Sequence, residues 1–110
     1  MENKNTFREY KFPNGETIKC TVAFIHLLKL REQNKRIYKK LNDGIMNGIG
    51  EDMIEAVSIL YGAYLCACYA GENGGDATNA MTEANFIEKV EDDVAGVLNA
   101  CFDLITKKKK

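Results

Sequence analysis

Reactivity in this chain rests with a short roster: cysteines at 20, 66, 68 and 101, the single histidine His26, and adjacent carboxylates at Asp92 and Asp93. The stretch YGAYLCACYAG sets two thiols one residue apart, which suggests a metal ligand pair, a redox couple or simple packing. Structural zinc takes four nitrogen or sulfur ligands at recognisable spacing. Cys20 and Cys101 are distant in sequence, and His26 stands alone. The residues around Cys66 and Cys68 read as helix, where each step turns by about 100°, so the two diverge by roughly 200°. On opposite sides they share no metal and do not easily bridge. A reactive thiol needs an exposed, electropositive setting, whereas these lie in the acidic half of the chain. All four cysteines are therefore expected as small buried side chains.

Other constellations fare no better. There is no nucleophile elbow and no obvious Ser/His/Asp or Cys/His/Asn set. Asp92 and Asp93 fall at a polar junction, whereas a catalytic carboxylate pair needs a cleft and separated pKa values. The glycine-rich NDGIMNGIG, Asn42 to Gly50, lacks the lysine and following Ser or Thr of a P-loop. Met53 stands where a dinucleotide fingerprint beginning at Gly48 needs glycine. This segment reads as a connecting loop. The expectation is no enzymatic activity, no cofactor and no metal.

The elements that position these residues belong to one domain of 110 residues. The reading is mainly α within an α+β class: a β-hairpin over 1–20, a helical bundle over 21–106 and a lysine tail over 107–110. FREYKF and ETIKCTV flank FPNG, whose proline presets a turn and whose Asn-Gly tolerates positive φ. Ile18, Cys20 and Val22 alternate onto one side of the second strand. The hairpin must lie against helices, because two strands alone are marginal.

From about Thr21 the period becomes helical. Phe24, Leu27 and Leu28, then Ile37, Tyr38 and Leu41, suit one or two amphipathic helices broken near Gln33-Asn34. EDMIEAVSILYGAYLCACYA opens on acids, which favour a helix N-terminus, and closes at Gly71, a suitable residue just past a helix end. It is apolar on most sides, with Ile54, Val57, Tyr61, Tyr64, Leu65 and Cys68 as its bulky stripe. It is the expected central helix of a bundle of four to five. GENGGDATNA reads as an exposed loop. Thr82 is a good N-cap, after which Phe86, Ile87 and Val90 face inward. Glu91-Asp92-Asp93 marks a junction. Val94, Val97, Leu98, Cys101, Phe102 and Ile105 then form a regular amphipathic stripe.

Charge is distributed unevenly. The net charge of −1 conceals ten Lys/Arg against four Asp/Glu over residues 1–41, and one against twelve over 42–106. Lys35, Arg36, Lys39 and Lys40 make two like-charge pairs four residues apart, either a solvated face or a docking surface for an acidic partner. Glu88, Glu91, Asp92 and Asp93 are their acidic counterparts. A basic front and an acidic back suit head-to-tail contacts between copies. Nucleic acid is disfavoured by an isoelectric point near 5.8 and by the lack of a zinc-finger or RNP motif. No apolar leader or membrane span is evident. A cytosolic setting, with reduced cysteines, is expected.

The order of elements resembles the small tail assembly chaperones of long-tailed phages and prophages of Firmicutes. Tyr61, Ala63, Tyr64, Leu65 and Ala67 match that family's "YxAYLxA"-like helix. Met81, Thr82, Phe86, Ile87 and Glu88 match its "MTxEEFIE"-like segment, with Asn85 where an acid is often found. The resemblance covers nearly the whole chain. It implies a non-catalytic protein that binds the tape measure protein, recruits tail tube subunits, self-associates and works in the host bacterial cytoplasm without entering the mature virion. The alternative is a small nucleic-acid-binding or regulatory phage protein that uses the basic helix face.

Overall fold

Pro13, Asn14 and Gly15 turn the chain back on itself. Phe12 N–H donates to Glu16 O across the turn (2.8 Å), Gly15 takes a φ of +99°, and Asn14 Oδ1 accepts from Glu16 N–H. The strands so joined, β1 (Phe7–Lys11) and β2 (Thr17–Thr21), pair antiparallel with Tyr10 opposite Ile18 and Arg8 opposite Cys20. The computed structural model describes residues 7–73 and 77–109, with side chains for 7–73 and 78–106. Among these residues the hairpin is followed by five α-helices: α1 (Phe24–Gln33), α2 (Lys35–Asn47), α3 (Met53–Tyr69), α4 (Glu83–Lys89) and α5 (Val94–Lys109). A short 3-10 turn, Ala77–Asn79, precedes α4.

The helix boundaries follow from local chemistry. Asn34 interrupts the first helical stretch: its φ of −154° leaves the helical region, and its side chain caps α2 by accepting from Ile37 N–H. Asp52 caps α3 through the amides of Ile54 and Glu55. Thr82 caps α4 through Asn85 N–H. Gly71, at a φ of +93°, ends α3.

α3 is the centre. Every residue from Ala56 to Cys68 is buried, and β2, α1, α2, α4 and α5 all pack on it. Phe12, Tyr61, Tyr64 and Phe86 form a cluster of rings, with Phe86 centred 5.3–5.7 Å from the other three. Two of those rings also hold the chain before α4. Tyr61 Oη donates to Met81 O and Met81 N–H donates to Tyr64 Oη, both at 2.9 Å. The part-buried N–H and C=O of Met81 are thus both satisfied by two tyrosines three residues apart on one helix face.

Three sequence expectations need correction. The glycine-rich stretch 42–50 is not a loop throughout, because α2 continues to Asn47. Gly44 sits inside that helix against Ile59, where a Cβ would come within 2.5 Å of Ile59 Cδ1. Close approach of α2 to α3 outweighs the helix-breaking tendency of glycine. The loop after Gly71 is anchored at its start. The Asn73 side chain accepts from Lys19 N–H (2.7 Å) and donates to Lys19 O (3.0 Å), binding β2 as a neighbouring strand would. Residues 74–76 of that loop lie outside the described residues. Finally, several apolar side chains expected inside are exposed: Phe24, Leu28, Ile54, Val94 and Phe102. Leu30 and Leu104 are buried instead. In α5 the buried face runs through Val97, Cys101, Leu104 and Ile105, leaving Val94 and Phe102 outside.

Candidate partner-binding surface

The thiols occupy one region of the core despite their separation in sequence. Cys20, Cys66, Cys68 and Cys101 are all free and buried. Burial pushes the Cys66 thiol up to about 12 and the Cys101 thiol likewise to about 12. Cys20 is raised by burial and further by the proximity of Cys101, Cys68 and Cys66. Such thiols stay protonated and are poor nucleophiles. Among the described residues no group of three His, Cys, Asp or Glu side chains is placed to hold a metal ion. His26 lies 5.9 Å from the Phe7 ring, and partial burial lowers its pKa, favouring the neutral imidazole.

The basic face divides in two. Arg36 pairs with Glu83 at 2.7 Å, and Glu83 also accepts from Ser58 Oγ, so one carboxylate ties α2, α3 and α4 together. Lys40 pairs with Glu55 of α3 at 2.9 Å. Lys35 and Lys39 are exposed and form no ion pair with any described residue. The acidic candidates divide in the same way. Asp93 accepts a 2.6 Å hydrogen bond from Tyr10 Oη and a second from Gly96 N–H at the start of α5. Its carboxylate therefore fastens the hairpin to α5 and is a fold residue rather than a free docking group. Glu88, Glu91 and Asp92 are exposed, again without an ion pair among the described residues.

Two apolar depressions open on the surface, one with Arg31 in its lining and the other with Glu91. The larger, about 450 Å³, runs between α1 and α2 over a floor that includes Leu27 and Ile45. Phe24 (77% exposed), Leu28 and Met46 (63% exposed) line it. Arg31 stands at its edge with its guanidinium 5.9 Å from the Tyr38 ring centre, a cation–π distance. The smaller, about 200 Å³, is walled by the start of α3, the end of α4 and the start of α5. Ile54 (55% exposed) and Val94 (52% exposed) line it, with Glu91 at its edge.

Isolated exposed apolar residues are unremarkable, whereas several gathered around a depression make a candidate interaction surface. The sequence pattern points to charges as the candidate site, sets Phe24, Leu28, Ile54 and Val94 on inward helix stripes, and leaves Met46 in a loop. A signal for the error exists. α1 carries Phe24, Ile25, Leu27, Leu28 and Leu30 within ten residues, more than one helix face can bury, and only Leu27 and Leu30 are buried. No helix among the described residues is long and apolar enough to cross a membrane. No protein-family model, curated protein or solved structure matches this chain.

Proposed function

We propose that this protein is a non-catalytic assembly chaperone that holds an elongated, largely helical protein partner against the α1–α2 groove. The observation that carries this reading is the groove itself: an apolar trough on two exposed helices, bordered by Arg31 with Lys35 and Lys39 on the same pair of helices. Amphipathic helices bind by laying an apolar face into such a trough, and a cationic border favours a partner with acidic flanks. The resemblance to phage tail assembly chaperones supplies the partner's identity in this proposal. The groove shields the tape measure protein, and the complex then recruits tail tube subunits in the bacterial cytoplasm, with the chaperone left out of the finished virion.

Co-expression with a tape measure protein tests the reading. The expected result is that the partner stays soluble and co-purifies with the wild-type chain, and is lost with Leu28→Glu. A partner that is equally soluble with the variant overturns it. A second reading rests on Lys35 and Lys39, two exposed lysines four residues apart on α2. They suit a phosphate backbone and therefore a small nucleic-acid-binding or regulatory role. Salt-sensitive retention of DNA or RNA in a filter-binding assay, lost on Lys35→Glu/Lys39→Glu, would favour this second reading.

A further inference from the structure

We infer that the depression between α3, α4 and α5 is a second docking site, which takes a protein segment presenting one large aliphatic side chain flanked by Lys or Arg. It is separate from the α1–α2 groove, and the inference does not rest on the function proposed for that groove. Three helices build its walls: Ile54 and Val57 from α3, Ile87 and Val90 from α4, and Val94 and Val97 from α5. All six are β-branched and held to few rotamers, so the hollow keeps its shape before anything enters it. Val57, Val90 and Val97 are buried, while Ile54 and Val94 stand more than half exposed. Its volume of about 200 Å³ falls below the roughly 300–1,000 Å³ of a small-molecule or cofactor site. It suits a single anchor side chain, and its aliphatic walls suit an aliphatic anchor.

Charge identifies what flanks that anchor. Residues 51–57 and 83–97, which carry the lining, hold eight Asp/Glu and one Lys. Glu55 is spent on Lys40, Glu83 on Arg36, Asp93 on Tyr10 and Asp52 on the cap of α3. Lys89 is spent as well, since it pairs with Glu16 of the hairpin turn and lies over the Phe12 ring. Glu51, Glu88, Glu91 and Asp92 remain exposed with no ion pair to a described residue. Glu91 lines the hollow, and the other three adjoin lining residues in the chain. A segment with cations on either side of its anchor satisfies the acids and the aliphatic walls together. A nucleic-acid or lipid phosphate meets only like charge here. The chain's own lysine run is at the far end of α5, roughly 20 Å from Val94 at the rise of a helix.

Calorimetric titration with a capped peptide of one leucine between two pairs of lysines tests the site without any other partner. Saturable one-to-one binding below about 1 mM is expected, weakening with added salt. Replacing the leucine by glycine is expected to weaken binding at least about tenfold. Glu91→Lys is expected to weaken it to a similar degree. Asp43→Lys, an equal change in net charge at an exposed position on α2, is expected to stay within about twofold. So is Met46→Glu in the α1–α2 groove, which separates this site from that one. Circular dichroism of each variant is expected to match the wild type. The leucine-to-glycine comparison is made on the wild-type chain and stands even where a variant fails to fold. Absence of saturable binding overturns the inference. So does equal binding of the glycine peptide, equal binding of a peptide with glutamates in place of lysines, or equal loss in the two charge-reversed variants.

Discussion

α3 and α1 are both rich in apolar residues, yet they serve opposite ends. α3 is enclosed: its residues from Ala56 to Cys68 are buried without a break, and β2 and the four other α-helices rest on it. α1 buries Leu27 and Leu30 and holds Phe24, Ile25 and Leu28 out in solvent. Apolar area removed from water stabilises a fold by roughly 25 cal/mol per Å². Area left in water contributes nothing to folding and is available for association. The same residue types thus build the interior in one helix and an exposed face in the other, the face proposed above for a partner. The difference lies in whether neighbours surround the helix.

The sharpest way to break this contrast is to cut into the enclosed side. Phe86 is fully buried among Phe12, Tyr61 and Tyr64. Phe86→Ala is expected to cost about 3–5 kcal/mol, a large part of the stability of a domain this size, measured by urea unfolding. Asp93→Ala comes next. It removes the charged acceptor of the Tyr10 hydroxyl and the cap at Gly96, at about 2–4 kcal/mol. Tyr10→Phe, which leaves the cap intact, is expected to cost about half as much. A double-mutant cycle in which the two effects simply add would deny the coupling.

The enclosed side also carries a pH signature. Burial raises Cys20, Cys66, Cys68 and Cys101 above the ordinary value of 9.0. It likewise raises Tyr10, Tyr61, Tyr64 and Tyr69 above 10.0, with Tyr61 and Tyr64 reaching about 12. Their folded values exceed their unfolded ones, so the unfolded chain releases these protons first. The stability they contribute is complete below pH 9 and is lost as pH rises from there toward the folded values. The loss is about 1.4 kcal/mol per pH unit for each group ionised only in the unfolded chain. Thermal melts from pH 7 to pH 11 are expected to hold level and then fall steeply. A midpoint unchanged at pH 11 would show that these groups are not shielded.

The interior was legible in the sequence because its rules are local or periodic. Pro13, Asn14 and Gly15 announce the hairpin turn, Thr82 announces α4, and the long apolar run announces α3. The outer surface was harder. Periodicity marks Phe24, Leu28, Val94 and Phe102 as a helix face, but it cannot say whether another element covers that face. Gly44 was misleading for the same reason, since a glycine that permits helices to approach looks in sequence like one that ends them. Asp93 was grouped with exposed acids because its partner, Tyr10, lies 83 residues away. Only the fold brings the two together.

The claim at the centre is that the α1–α2 groove serves association and not stability. Met46→Glu, followed by thermal midpoint and retention of a co-expressed tape measure protein, tests it most directly. The account predicts a midpoint within a degree or two of wild type, since exposed substitutions usually stay within about 0.5 kcal/mol, together with loss of the co-purifying partner. A midpoint that falls sharply while the partner is retained as by the wild type would contradict it.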